Sequence, residues 1–234
     1  MCRSELLLGE ESLEKLRSKH VLIAGVGGVG GYAAEALCRA GIGEISIVDS
    51  DVVNASNRNR QLLALNSTLG MPKTEVMAQR LMDINPDLKL YIHKVFLKDE
   101  VIPEVLGGEF DYVVDAIDTL SPKLFFIKTC MENGLPLVSS MGAGGRVDPS
   151  KIVVADISKT YNCTLAHVIR KRLRYMGIRK GFKAVYSTEL VAKDSVVATN
   201  GEGNKKSIVG TISYMPAIFG LNAASVVIRS FIEK

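Results

Sequence analysis

VLIAGVGGVGGYAAEALCRAGIGEISIVDSD, residues 21–51, decides the fold. Val21, Leu22, Ile23 and Ala24 form a short apolar run of the kind that makes a strand buried on both faces. Gly25-Val26-Gly27-Gly28-Val29-Gly30 follows, and Tyr32, Ala33, Ala36 and Leu37 then fall at helical spacing. Glycines let backbone approach a ligand with no side chain between, and a helix N-terminus offers unpaired N–H groups to an anion. Strand, glycine loop and helix together predict a phosphate site. A second apolar strand, residues 45–48, ends at Asp49, 19 positions after Gly30, the usual spacing for an acid that binds a ribose. These residues imply an α/β fold and an adenine nucleotide. They fit NAD, FAD and ATP equally.

What comes next in the chain separates those three. Asn57-Arg58-Asn59-Arg60-Gln61 lies just past Asp49-Ser50-Asp51. A nicotinamide enzyme has little use for guanidinium groups there, whereas a triphosphate needs cations to stabilise a leaving pyrophosphate. Lys73 follows Pro72, read as the first residue of a helix through Val76, Met77, Leu81 and Met82. The helix dipole disfavours a cation at that end, so Lys73 fits best with a phosphate in front of it; a solvated lysine is the alternative. Residues 111–118, DYVVDAID, read as another buried strand, with Asp115 and Asp118 at the end where open α/β sheets bind ligands.

The order GxGGxG, DxD and NxxRQ resembles the ATP-dependent adenylating family of ThiF, MoeB, HesA and the ubiquitin-activating enzymes. The resemblance continues through Gly70-Met71-Pro72-Lys73, Ile84-Asn85-Pro86 and Asp115-Ala116-Ile117-Asp118. Within it, residues 115–118, GAGGRVDP at 142–149, Lys159-Thr160 and Tyr186-Ser187-Thr188-Glu189 resemble the branch of tRNA threonylcarbamoyladenosine dehydratases. The resemblance implies a Rossmann-like, mostly parallel sheet flanked by helices and extended by additional strands in the C-terminal third. It implies ATP and Mg²⁺, with Gly25, Gly27, Gly28 and Gly30 admitting the phosphates, Asp49 on the ribose and Asp51 beside it. Arg60 and Lys73 would neutralise the β- and γ-phosphates, Asn57 and Gln61 would orient phosphates or cap a helix, and Asp118 would hold the metal. It further implies a homodimer, in which Arg3 is the one residue placed to reach the partner's ATP. The substrate carboxylate would belong to the threonyl group of a tRNA adenosine.

Composition sets wider bounds. At 234 residues, 47% hydrophobic and 23% charged, the chain is globular, and it reads as one domain, residues 1–234, with a nucleotide half to 150 and a substrate half from 151. Cys2, Cys38, Cys130 and Cys163 are scattered without a CxxC pair, so reduced thiols and no structural zinc are expected. The N-terminus lacks the apolar core of a signal peptide. Residues 208–228 carry no charge for 21 positions, long enough to span a bilayer, but Gly210, Pro216, Gly220 and Asn222 argue for a buried helix from about Pro216. A cytoplasmic protein without a membrane span follows. Between these landmarks the pattern predicts helices at 6–16, 100–106 and 120–133, and strands at 89–97, 135–139, 153–157 and 183–186. The second glycine cluster, residues 141–145, is followed by Asp148-Pro149 rather than a helix, so it reads as a turn.

Two features bear on the substrate. Arg170, Lys171, Arg172, Arg174, Arg179, Lys180 and Lys183 place seven cations in fourteen positions with no acid, on a helix whose other face carries Leu165, Val168, Ile169, Leu173 and Met176. Such a cluster suits a tRNA backbone, or is a solvated helix face. Residues 194–206 read as a polar loop near the substrate. Cys163, just before that helix, is either a thiolate nucleophile or a cap, and ring closure within one substrate needs no enzyme thiol. Other functions remain open from sequence: adenylating a ubiquitin-like sulfur carrier in a sulfur relay, an NAD-dependent oxidoreductase that leaves Arg60, Lys73 and Asp118 idle, or a nucleotide-sensing regulator.

Overall fold

A computed structural model describes residues 3–191, 195–198 and 207–233. The leading helix is two helices, α1 (Arg3–Leu8) and α2 (Glu10–Arg17), because Gly9 between them adopts a φ of 77°, outside the helical region. The glycine-loop unit forms as the sequence predicts: β1 (His20–Ala24), the loop, α3 (Gly30–Ala40) and β2 (Glu44–Val48). Next come α4 (Lys73–Ile84), β3 (Lys89–His93), a short α5 (Ile102–Val105) and β4 (Tyr112–Asp115). α6 (Leu120–Glu132), β5 (Leu137–Ser140), β6 (Ile152–Asp156), α7 (Thr164–Tyr175) and β7 (Lys183–Ser187) complete the main body. β8 (Val196–Ala198) and β9 (Ser207–Val209) pair antiparallel before α8 (Tyr214–Ile232). The rest of the polar loop expected at 194–206 lies outside the described residues.

The main sheet has seven strands in the order β3-β2-β1-β4-β5-β7-β6. All pairings are parallel except that of β6 with β7. The chain winds outward from β1 to β3 and then crosses back to β4, so the crevice between the C-terminal ends of β1 and β4 is the switch point where such sheets bind ligands. That end of the sheet is called the upper end below; the strands begin at the lower end. β4 and β5 are buried at every position, as the uninterrupted apolar runs predict. One core, with Val21, Ile23 and Val114, lies under α3 and α8, and the other, with Leu22, Val113 and Phe126, under α6 and α7.

α8 is long and apolar enough to cross a membrane. In the structure its face of Met215, Pro216, Phe219, Gly220, Ala223, Ala224 and Val227 is buried. Gly220 makes this possible, since a Cβ there would lie 2.3 Å from the carbonyl oxygen of Val29 at the start of α3. The uncharged stretch is a core helix packed backbone-to-backbone on the nucleotide helix.

Candidate nucleotide and substrate site

The glycine loop divides its labour. Gly25 has a φ of 89°, donates its N–H to the Val48 carbonyl at 2.7 Å, and would drive a Cβ to 2.9 Å from the Ala116 carbonyl oxygen. A Cβ on Gly30 would lie 1.8 Å from the Gly25 carbonyl oxygen. These two glycines let the turn close against β2 and β4. Gly27 has room, and Gly28 is packed more closely. A Cβ on Gly27 would sit 3.5 Å from Gln61 Nε2, and one on Gly28 3.1 Å from Pro216 Cβ and 3.4 Å from the Arg60 carbonyl oxygen. The segment of Arg60 and Gln61 therefore faces the open part of the loop. Among the described residues Gln61 Oε1 is buried without a hydrogen-bond partner, as is Thr74 Oγ1. A space that one Cβ would fill, an amide beside it and an orphaned acceptor fit the phosphates and hydroxyls of a nucleotide.

Asp49 is fastened at the end of β2. Its Oδ2 accepts from the Val26 N–H and its Oδ1 from the Asp51 N–H, both at 2.9 Å. Burial pushes its carboxyl above the usual carboxylate value, while the Lys73 charge and the two backbone N–H groups pull it back. Pro72 is the N-cap of α4 and Lys73 the first helical residue, one position later than the sequence suggested. The Lys73 N–H donates to the Asp51 carbonyl at 2.9 Å and its Nζ to Asp51 Oδ2 at 2.7 Å. That ammonium is 6% exposed, while the Asp51 carboxylate is 65% exposed. An acid of this chain thus occupies the position where the dipole argument placed a phosphate; a bound phosphate would share Lys73 with Asp51.

Asn57 is largely structural: its Oδ1 accepts from the Asn54 N–H at 3.1 Å and caps its own turn. Arg60 donates from one Nη1 to the Ser56 carbonyl and to Asn59 Oδ1, both at 2.9 Å, and takes part in no ion pair among the described residues. β4 ends at Asp115, not Asp118. Asp115 is fully buried, pairs with the fully buried Lys123 at 2.7 Å, accepts from Ser139 Oγ at 2.6 Å and from the Ile117 N–H at 3.1 Å. It is a positioning residue that shapes the turn carrying the exposed Asp118 to the crevice. Sequence reasoning missed Lys123. The signal was present, because Lys123, Ile127 and Cys130 share a helix face with i, i+4, i+7 spacing, and a lysine on a buried stripe requires a buried acid.

Two of the four segments that carried the branch resemblance, 142–149 and 186–189, meet at the upper ends of β5 and β7. Arg146, 3% exposed, donates to the carbonyls of Gly142 and Glu189, and the Glu189 carboxylate accepts from the N–H groups of Val147 and Asp148. Asn162 Nδ2 donates to the Thr188 carbonyl at 3.1 Å. Tyr214 Oη donates to the Val147 carbonyl at 2.8 Å, and Asn59 Nδ2 to the Thr211 carbonyl at 2.9 Å, so this wall is tied to the Arg60 turn. The second glycine cluster is a turn, as read, and Arg146 is its unforeseen anchor.

Arg170 leaves the basic set, because its guanidinium turns inward to the carbonyl and hydroxyl of Thr160. Lys171, Arg172, Arg174, Arg179 and Lys180 are exposed. They lie where α7 ends and β7 begins, at the lower end of the sheet, away from the glycine loop. Cys163 is the N-cap of α7 and 5% exposed, part of the core with Ala166 and Ile169. Its sulfur is packed, not presented to a substrate. Arg3 opens α1, a helix with no buried residue that leaves Leu6 and Leu7 at 73% and 82% exposure. Among the described residues no group of three or more His, Cys, Asp or Glu side chains could hold a metal. A Mg²⁺ at Asp118 would therefore take most of its oxygens from phosphate and water, as this ion commonly does.

A cleft of 610 Å³ lies at the lower end, lined by Arg17, Arg39, Glu44 and Lys89 among others. Those three cations are already paired with Glu14, Glu35 and Glu44, so it offers no free cation to an anionic ligand.

Comparison with known proteins agrees with this fold. The chain is 41% identical to the tRNA threonylcarbamoyladenosine dehydratase of Bacillus subtilis, over 94% of this chain and 89% of that one. It is 37% identical to the enzyme of the same name from Escherichia coli K12, over 97% and 91%. The crystal structure of E. coli tRNA N6-threonylcarbamoyladenosine dehydratase in complex with ATP superposes with a TM-score of 0.89 at 36% identity, covering 97% of this chain and 91% of that one. The ThiF family model matches residues 2–234, and with the fold in agreement, the chain belongs to the ThiF family.

Proposed function

We propose that the protein is an ATP-dependent dehydratase that cyclises threonylcarbamoyladenosine in tRNA. The observation that carries this reading is the open space over Gly27, faced by the segment of Arg60 and Gln61, beside a wall built from Arg146, Glu189 and Thr188. The first supplies a triphosphate site; the second is the part of the chain that resembles the dehydratase branch.

In the proposed reaction a substrate carboxylate oxygen attacks the α-phosphorus of ATP and the bond to pyrophosphate breaks. Arg60 stabilises the departing charge, Lys73 adds to it from its pair with Asp51, and Asp49 accepts from the ribose hydroxyls. Gly25 and Gly30 hold the loop shut, Gly27 and Gly28 admit the phosphates, and Gln61 donates to them. Mg²⁺, with Asp118 among its ligands, would supply charge neutralisation at the phosphates. A nitrogen or oxygen within the same modification then attacks the activated carbonyl, loses its proton, and AMP departs with the former carboxylate oxygen. Holding both groups in one substrate makes that step intramolecular.

The working form we propose is a cytoplasmic homodimer in which Arg3 reaches the partner's nucleotide; the bare apolar surface of α1 supports this. The exposed cations from Lys171 to Lys180 contact tRNA phosphates, with Arg170 in a supporting role. A sulfur-relay or ubiquitin-like partner has no observation of its own in favour.

Mass spectrometry of tRNA nucleosides after incubation with protein and ATP tests the reading. A modified adenosine lighter by one water, with AMP formed in equal amount, is expected. ATP turnover with unchanged nucleosides, or adenylation of a Gly-Gly-ended carrier protein instead, would overturn it.

A further inference from the structure

Resting on that reading, we infer that the lower end of α7 is a docking surface for the stem of a folded RNA, separate from the chemistry by at least the length of the helix. The cations there differ from most others in the nucleotide half. Lys171, Arg172, Arg174, Arg179 and Lys180 are exposed, and none is in an ion pair among the described residues. Two acids lie near them: Asp156, whose carboxylate accepts from the Gly181 N–H at 2.9 Å and faces the charge of Lys183, and Glu132, which is paired with Lys128. Against five exposed cations they leave the surface positive.

Its position sets the geometry. α7 starts at the upper end, where Cys163 caps it and Asn162 bonds to Thr188 just past β7. It runs 12 residues, about 18 Å, to Tyr175, which is 82% exposed amid the cations. The chain then turns through Gly177 and Gly181 into Lys183 at the lower end of β7. A nucleotide whose modification reaches the β1–β4 crevice cannot place its own phosphate on Arg174. Phosphates at least a helix length, about 18 Å, away can do so, several base pairs along a duplex, since β5 and β7 also set α7 sideways from the crevice. The surface reads length and shape rather than sequence, as expected of contacts to an RNA duplex backbone. It selects a modified adenosine presented at the end of a stem over the same nucleoside in a short fragment.

The test uses hairpins carrying the modified adenosine in the loop, with stems of about ten and about three base pairs, one long enough to reach past a helix length and one too short. Wild-type protein and the Arg172→Glu/Arg174→Glu double variant are compared with ATP in excess. Wild type is expected to favour the long stem by on the order of tenfold in kcat/KM, with a salt slope reduced by about two in the variant. On the short hairpin the two proteins should be equal, since neither can use the surface. A reversal that lowers both hairpins equally, or wild-type turnover that ignores stem length, would overturn the inference. If wild type cyclises no RNA, the proposed reaction fails; the surface is then decided by hairpin binding alone, where equal Kd for wild type and variant rejects it.

Discussion

Up to residue 132 the chain carries fourteen lysines and arginines, and among the described residues all but Arg3, Arg58 and Arg60 form an ion pair with an acid of the same chain. From residue 134 to 191 there are ten, and among the described residues none does. Exposed pairs contribute little to stability, so the contrast is not about which half is firmer. It concerns where foreign negative charge can go. In the first half it can meet Arg60 without displacing a carboxylate; in the second it meets an open surface. On the proposed function, one half would take a single small polyanion and the other a long one.

The contrast is sharpest at the one pair that is buried completely, Lys123 with Asp115. Lys123→Met leaves the Asp115 carboxylate without its counter-charge in the core, and stability should fall by about 3–5 kcal/mol. Chemical denaturation midpoints measure this. Asp115→Asn together with Lys123→Met should recover part of the loss. A single variant that unfolds like wild type would mean that the pair does not hold the Ile117 turn.

Arg60→Ala comes next. Its guanidinium bonds only within its own turn, so folding should survive, whereas transition-state charge on the pyrophosphate loses its free cation. ATP-dependent turnover should drop on the order of 10²–10³-fold. Asp118→Asn should act in the same direction with the fold intact. Wild-type rates in either variant would remove that residue from the site.

How far the sequence carried these assignments follows the range of the interactions involved. The β1–loop–α3–β2 unit was legible because its signals are local: an apolar run, glycines at fixed offsets and an acid at the end of the next strand. The break at Gly9 was missed because helical periodicity on both sides conceals one left-handed residue. Lys73 was recognised as anomalous, yet its partner Asp51, 22 positions away, could not be read from spacing. Arg146 and Arg170 looked like members of charged or glycine-rich stretches, and only tertiary contacts turn them inward to carbonyl oxygens. The placement of the basic run at the lower end depends on strand order, which no local pattern encodes.

A smaller effect is expected where the nucleotide half titrates. Burial raises the Asp49 carboxyl above its usual 3.8, and Lys73 opposes that rise. The native state therefore holds this proton to higher pH than the unfolded chain does. Its contribution to stability is complete below the unfolded value and is lost as pH rises through the folded one. Nucleotide binding has the opposite sign, because the ribose needs the carboxylate. Lys73→Met removes the opposing charge, so the acid limb of the pH profile for the ATP KM should move to higher pH. An unmoved limb would separate Lys73 from Asp49 and leave it only its pair with Asp51.

The smallest effect should be that of Cys163→Ser. The thiol sits at the N-cap of α7 and makes no capping hydrogen bond, while its carbonyl accepts from the His167 N–H as the first helical bond. Serine is among the preferred N-cap residues because its oxygen accepts from an N–H of the first turn, typically contributing about 1 kcal/mol. Against that stands the cost of placing a hydroxyl where a 5% exposed sulfur lay among Ala166 and Ile169, about 1–3 kcal/mol if unbonded. The cap bond supplies the missing partner, so the two nearly cancel and stability should change by no more than about 1 kcal/mol. Cyclisation should persist, since the attacking atom belongs to the substrate and the sulfur is enclosed in the core. Mass spectrometry of the protein during turnover gives the opposing result its chance. A thioester on Cys163, or a serine variant that still adenylates but no longer closes the ring, would require the N-terminus of α7 to open during the reaction. That would make the second half a chemical participant rather than a surface that holds the RNA.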